Sequence, residues 1–169
     1  MDVKFPIGKL QVPKHVTVDD VSEWLKDIET YVDHLRETVH SLTEEDLQKT
    51  YREGSYTVQQ LVHHIVDSQL IMFQRLKLAL TSDNPVVPAF DQDLWAVQPD
   101  TKLPVETSIQ MLDGINQRIV ALGKTLTEKQ LSRVFTHEHN GEISVGTKMA
   151  KLRWHEAHHL AHIQLALEQ

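Results

Sequence analysis

The hydrophobic positions of this chain recur at helical spacing over four long segments. From residue 18 to residue 42 the apolar residues step by alternating intervals of three and four, which places them on one face of an α-helix. This pattern predicts a helix over 18–41, and similar patterns predict helices over 58–81, over 105–123 and from about 144 to the C-terminus. The 58–81 segment is apolar nearly all round, as expected for a helix inside a bundle. We therefore predict an all-α fold, a four-helix bundle.

Shorter elements are predicted between these helices. Residues 1–16 contain two prolines and should be extended, while 43–47 and a segment starting at Thr127 read as short capped helices. Residues 82–104 contain four prolines and cannot form one regular element. Such a long loop is usually a functional lid or an interaction segment. The Asn-Gly pair inside 137–143 predicts a small hairpin.

Composition limits the class of protein. A chain of 169 residues is most simply one domain, 1–169, and the absence of cysteine excludes a disulfide framework or a zinc–thiolate site. The net charge is −7 and the 17 lysines and arginines are scattered, which argues against binding to nucleic acid. No leader-like or membrane-spanning apolar run is present in the sequence, so we expect a cytoplasmic protein with no membrane partner.

Histidines are concentrated near the C-terminus. Four of the chain's eleven histidines fall within the eight residues 155–162. Residues four apart lie on the same side of a helix, so His155 with His159, and His158 with His162, are each pairs that could share one metal ion. Spacing alone does not choose between these pairs. The alternative is a set of hydrogen-bonded helix histidines with no metal.

A third histidine ligand is expected from the 58–81 helix, which carries His63 and His64 in adjacent positions. Three imidazoles from two packed helices would leave a coordination position open, as catalytic metal sites do. Asp67 follows one turn later and is a candidate to orient an imidazole by accepting its free N–H. His137 and His139, beside the hairpin turn, are predicted to be exposed, since a flexible turn positions metal ligands poorly.

A weak internal sequence repeat supports the pairing of these two helices. A Leu-Thr-Glu segment followed by a capped, histidine-bearing helix occurs at 42–44 and again at 126–128. If the two halves are pseudo-symmetric, the 58–81 helix and the C-terminal helix are equivalent and should meet. That arrangement would bring His63 or His64 opposite the C-terminal histidines.

Several motifs together resemble the YfiT-like branch of the DinB superfamily. They are YTVQQLVHHIVDS at 56–68, TSDNP at 81–85, DQDLWA at 91–96 and WHEAHHLAHI at 154–163. The resemblance covers almost the whole chain. It implies a four-helix bundle that holds a divalent metal ion on three histidines, and the family pattern points to His64, His158 and His162 as the ligands. Imidazole binds several divalent metals, so the ligands alone do not identify the ion. Zinc and nickel are our first choices.

The resemblance also implies an activity. Some relatives are named metal-dependent hydrolases, and others are transferases that use low-molecular-weight thiols such as bacillithiol. We predict an enzyme whose metal ion activates such a thiol co-substrate for transfer to a small-molecule electrophile. The alternatives are hydrolysis by metal-bound water and a non-catalytic, metal-stabilised or partner-binding bundle. Trp95 and Trp154 are candidates for substrate binding, and a homodimer is consistent with the superfamily and the apolar helices.

Overall fold

The computed structural model describes residues 2–169, so Met1, the first residue of the predicted extended segment, lies outside the described part. Its helices are α1 (Val18–Val39), α2 (Glu44–Leu47), α3 (Val58–Thr81), α4 (Gln92–Ala96), α5 (Val105–Gly123), α6 (Glu128–Leu131) and α7 (Val145–Leu167). The four long helices confirm the predicted bundle. Within residues 2–169 no helix is both long enough and apolar enough to cross a membrane.

Threonine caps fix where several helices begin. Thr17, Thr43, Thr57 and Thr127 each accept a hydrogen bond from the backbone amide three residues later, and the side chain of that later residue accepts one from the threonine amide. These reciprocal bonds satisfy backbone donors that a helix leaves free at its N-terminus. The first helix ends at Val39, two residues earlier than predicted.

The long helices do not pack in chain order. Helix α1 packs mainly against α5 and α7, and α3 packs mainly against the same two helices. Helix α1 therefore lies diagonally opposite α3 in the bundle, and α5 lies diagonally opposite α7. Helices α3 and α7 are neighbours, as the internal sequence repeat predicts.

A small sheet completes the fold. Strands β2 (Val134–His137) and β3 (Gly141–Ser144) pair as the predicted hairpin, and Gly141 takes the positive φ of 74° that the turn requires. Strand β1 (Val86–Val87) pairs parallel to β2. The all-α prediction omitted this third strand. The prolines of residues 82–104 divide this segment into short elements, which are β1, α4 and a 3₁₀ helix at Pro99–Lys102.

The prediction that His137 is exposed was wrong. His137 is only 8% exposed, and its Nδ1 accepts hydrogen bonds from the backbone amides of His139 and Asn140, both at 3.2 Å. The hairpin turn folds back over the ring and so buries it. His139 is exposed, as predicted.

The N-terminal segment lies against α7. The indole N–H of Trp154 donates to the carbonyl oxygen of Gly8 at 3.2 Å, and Nε2 of His162 bonds the carbonyl oxygen of Val3 at 3.1 Å. At the start of α7, a side chain on Gly146 would meet Val16 at 2.9 Å, closer than carbon atoms tolerate. The chain before α1 therefore covers one side of the helix that carries the histidine cluster.

A buried polar network joins the four helices at the centre of the bundle. The Asn116 amide nitrogen donates to Glu156 Oε1 at 2.7 Å and to the carbonyl oxygen of Ile28 at 3.3 Å. The Asn116 side-chain oxygen accepts from the amide of Gln69 at 3.1 Å. Burial raises the pKa of the Glu156 carboxyl well above its ordinary value, and the bond from Asn116 opposes this shift.

Candidate metal centre

Three histidines from α3 and α7 converge at the interface of these helices. His64, His155 and His159 each offer a ring nitrogen, and the three nitrogens lie within 4.8 Å of one another. The ring centroids are separated by 4.4 to 5.2 Å. A zinc ion bound about 2.1 Å from each nitrogen separates its tetrahedral ligands by about 3.4 Å. Small side-chain rotations would therefore close this group around one ion.

A second group shares one member with the first. His158, His159 and His162 also bring three ring nitrogens within 4.8 Å. Aromatic side chains flank this group, because Trp154 stacks on His158 with a centroid distance of 4.3 Å and Tyr51 stacks on His162 at 3.9 Å. All three of its histidines come from α7, so it does not bridge two helices.

Hydrogen bonds at His162 determine the tautomer of His159. The carbonyl oxygen of Val3 can only accept, so Nε2 of His162 must donate to it. In a neutral ring Nδ1 of His162 is then the acceptor, and its partner, Nδ1 of His159 at 3.3 Å, must donate. The lone pair of His159 is therefore on Nε2, where it is free to bind a metal ion.

The structure does not bring the three predicted ligands into one group. His64 lies with His155 and His159, whereas His158 and His162 lie with His159. The cause is the rotation of α7, which turns His155 and His159 toward α3 and turns His162 toward the N-terminal segment. Metal binding by His158 and His162 stays a prediction.

A signal for the other pair was present in the sequence. Leu152 and Ile163 are fully buried and lie about three turns apart on α7. His155 and His159 fall between them along the same strip of the helix, and the strip faces the core. Position on the core-facing strip therefore favours His155 and His159 as metal ligands, whereas histidine spacing alone does not.

The clustered imidazoles are held neutral by burial. Burial lowers the pKa of His64 to about 4, against an ordinary value of 6.5. Burial also lowers the pKa values of His155 and His159 well below that value, and neighbouring histidines lower them further. Neutral imidazole is the form that binds metal ions, so no proton has to leave these rings at pH 7.

Acidification should destabilise the metal-free protein. The histidine pKa values are lower in the folded state than in the unfolded state, so the unfolded state binds more protons at acidic pH. The folding free energy that these groups contribute is complete above about pH 6.5 and is lost as the pH falls toward 4. Urea denaturation of chelator-treated protein should show a lower midpoint at pH 5 than at pH 7.

The matched control for this prediction is His155→Gln, which removes one buried imidazole. Its midpoint should change less than that of the wild type between pH 7 and pH 5. Equal pH dependence in both proteins would show that the buried histidines do not cause the loss.

The clustered histidines line a cavity of about 850 Å³, a size typical of small-molecule sites. Tyr56 lies beside His64, with a centroid distance of 5.3 Å, and its hydroxyl donates to the carboxylate of Asp93. Burial raises the pKa of Tyr56, and the bond to Asp93 raises it further. Tyr56 therefore stays protonated and fixes the position of Asp93 at the edge of the cavity.

The remaining predicted residues lie in different places. Trp154 lines the histidine cavity, but Trp95 lines a separate apolar groove, where it contacts Phe90. Both ring nitrogens of His63 are engaged, one with the Ser108 hydroxyl at 2.6 Å and one with a backbone carbonyl at 3.0 Å. Asp67 makes no hydrogen bond to a histidine within residues 2–169, and burial raises its pKa to about 6.

This arrangement defines a helical bundle with a histidine-lined cavity of metal-binding type. A model of the DinB superfamily matches residues 28–163, and the chain belongs to that superfamily. A protein of Oceanobacillus iheyensis named "Putative metal-dependent hydrolase" is 69% identical over 167 residues, covering 99% of this chain and 96% of the relative. A protein of Halalkalibacterium halodurans with the same description is 42% identical, covering 99% and 98%.

A solved structure agrees with this family assignment. YfiT from Bacillus subtilis, described as "a probable metal-dependent hydrolase with an unusual four-helix bundle topology", superimposes with a TM-score of 0.92 and 30% sequence identity. The match covers 97% of this chain and 95% of YfiT. The order in which the four long helices pack is thus shared with a protein of known structure.

Proposed function

We propose that this protein is a metal-dependent enzyme that activates a low-molecular-weight thiol, of the bacillithiol type, for transfer to an electrophile. The observation that carries the proposal is the convergence of His64, His155 and His159 on the wall of a cavity that is large enough for small molecules. Two helices supply the three ligands, and a set of three histidines leaves room for a reactant. Zinc and nickel are the first candidates, since both accept imidazole ligands.

The choice of ligands rests on which ring nitrogens are available. Nδ1 of His155 and Nδ1 of His158 are both buried without a hydrogen-bond partner, as expected for a nitrogen whose partner is an ion. Of the two, only His155 lies in one group with His64. Both ring nitrogens of His162 are already engaged, with Val3 and His159. His162 would have to break one of those bonds to bind metal. We therefore favour His155 and His159 over the sequence-predicted pair, and we assign His162 to orienting His159.

The chain's own residues prepare the cavity for an anionic nucleophile. A divalent ion, when bound there, supplies a Lewis acid that lowers the pKa of a thiol or of water. Tyr51 stacks on His162 and Trp154 stacks on His158, so aromatic rings limit the access of water to that side of the histidine cluster. Lys148 and Lys151 line the same cavity, and positive charge stabilises a thiolate relative to a thiol.

Hydrolysis is the second candidate, and the descriptions of the relatives favour it. It uses the same three histidines, with water in place of the thiol as the nucleophile. The two reactions therefore differ in what the cavity binds and not in the metal ligands.

The test combines metal analysis with two activity assays. Protein purified without a histidine tag should contain about one equivalent of zinc or nickel by mass spectrometry. With bacillithiol or glutathione and monochlorobimane, the loaded protein should accelerate formation of the sulfur–carbon bond with release of chloride, and His64→Ala should not. Acceleration of ester or amide hydrolysis without any thiol would instead support the hydrolase. Metal binding that raises the melting temperature, with no rate in either assay, would support the non-catalytic alternative.

A further inference from the structure

The cavity collects basic residues on a chain whose net charge is negative. Its lining includes Lys4, Arg52, Arg75, Lys148 and Lys151. Among the described lining residues the only carboxylate is that of Asp93, which is bonded to Tyr56. The chain as a whole carries 24 acidic residues against 17 basic ones. The excess of positive charge is therefore specific to this cavity.

Lys148 is the most deeply buried of these lysines. It is 6% exposed, and its Nζ lies 5.4 Å from the ring centre of Phe135. In the part of the chain that the structure describes, Lys148 takes part in no ion pair. Burial and, to a smaller extent, the nearby charges of Arg75 and Lys151 together lower its pKa to about 7. A buried lysine without a counter-ion is costly, so its position calls for a partner.

Two more cations surround Lys148. Arg75, on α3, is 8% exposed and donates to the carbonyl oxygen of Pro88 at 2.6 Å. Burial lowers the pKa of Arg75 and the charge of Glu138 opposes this shift, but the described residues include no ion pair between the two. Lys151 is partly buried, and its Nζ lies 4.7 Å from the ring centre of Trp154. Three cations thus face one cavity and repel one another.

We propose that Arg75, Lys148 and Lys151 form a binding subsite for an anionic oxygen group, a carboxylate or a phosphate, of the substrate. Such a group would supply the missing counter-charge and accept hydrogen bonds from the two ammonium groups and the guanidinium. Lys151 lies one helical turn before His155 and Lys148 lies two turns before it. The subsite is therefore about 6 to 10 Å along α7 from the histidine cluster.

This spacing describes the ligand. The reacting group occupies the histidine cluster and the anionic group lies several bonds away, so the co-substrate is an anionic molecule. Assigning the anion to the thiol co-substrate rests on the proposed function, whereas the binding of an anion by the three cations does not.

The test compares two thiols that differ only in charge, 6-mercaptohexanoate and 6-mercaptohexanol. Isothermal titration of zinc-loaded protein should give a dissociation constant at least 10-fold lower for the carboxylate. Lys148→Met should weaken binding of the carboxylate more than binding of the alcohol and so remove most of this difference. Lys129→Met, which removes an exposed lysine on α6, should behave as the wild type. Equal affinities for the two thiols would overturn the assignment of the anionic group to the thiol co-substrate.

A second measurement separates the subsite from the metal chemistry. Inorganic phosphate and acetate, titrated into the His64→Ala variant, should still bind and should bind at least 10-fold more weakly when Lys148→Met or Lys151→Met is added. The tighter anion of the two identifies the preferred group. Anion binding of this kind, with no transferase or hydrolase activity in the zinc-loaded wild type, would refute the proposed function alone. Anion binding that neither lysine substitution weakens would refute the subsite alone.

Discussion

Replacing His155 with alanine should abolish stoichiometric metal binding and the activity that depends on it. His155 supplies one of three converging ring nitrogens, and its Nδ1 is buried without another partner. Loss of one ligand of three should lower the metal affinity by more than about 100-fold, because even removal of a group that only orients a ligand costs 10- to 100-fold. His64→Ala and His159→Ala should have the same effect. Metal content by mass spectrometry and affinity by competition with a chelator are the measurements.

Two further variants distinguish the two sets of ligands. His158→Ala should retain its metal, and His162→Ala should bind it roughly 10- to 100-fold more weakly, because His162 holds the tautomer of His159. His139→Ala is the control, since that histidine is exposed. Far-UV circular dichroism should show an unchanged helix content in each. Metal lost in His158→Ala but kept in His155→Ala would support the set that the sequence predicts.

Replacing Asn116 with leucine should destabilise the fold by about 3 kcal/mol. The Asn116 side chain bonds Gln69, Glu156 and the backbone of α1. Leucine would leave the buried amide of Gln69 and the buried carboxyl of Glu156 without these bonds, whereas the carbonyl oxygen in α1 keeps its bond within the helix. For a chain of this length the melting temperature should fall by about 10 °C. Urea denaturation of the metal-free protein measures the loss without the added stabilisation from bound metal.

Glu156→Gln is the matched control, because its side-chain oxygen can still accept from Asn116. The raised pKa of Glu156 means that the folded state holds this proton more tightly than the unfolded state does. Protonated Glu156 therefore contributes to the free energy of unfolding at acidic pH, and the wild type loses this contribution as the pH rises above 4.5, the ordinary pKa of a glutamate. The glutamine variant should be at least as stable as the wild type at pH 7. An Asn116→Leu variant within 1 kcal/mol of the wild type would contradict the role assigned to the network.

The sequence was sufficient for the long helices because each has an apolar face or a capping threonine. Helix α1 follows its three-four spacing from Val18, and Thr57 marks the start of α3. The parallel pairing of β1 with β2 could not be predicted. Val86 and Val87 form a strand only because the hairpin from a distant part of the chain lies beside them. Such short strands carry no periodic signal of their own.

The candidate site was predictable only in part, for a similar reason. The sequence identified the two histidine-bearing segments, and it selected His64 over His63 through the family motif. It did not identify the basic residues of the cavity. Arg75 and Lys148 are far apart in the chain and come together only when α3 packs against α7. The scattered appearance of the cations along the chain therefore concealed their clustering in space.

The packing of α3 against α7 has a consequence for the order of events during synthesis. His64 leaves the ribosome long before α7 does, since more than half of the chain's length separates His64 from His155. The early part of the chain cannot hold a metal ion on one histidine. The contact between α3 and α7 also closes a long loop of chain, and the conformational entropy of that loop must be lost before the two helices meet. The proposed site of His64, His155 and His159 is therefore complete only after α7 has been synthesised and has packed against α3, so an ion that needs all three ligands would bind only to chains in that folded state.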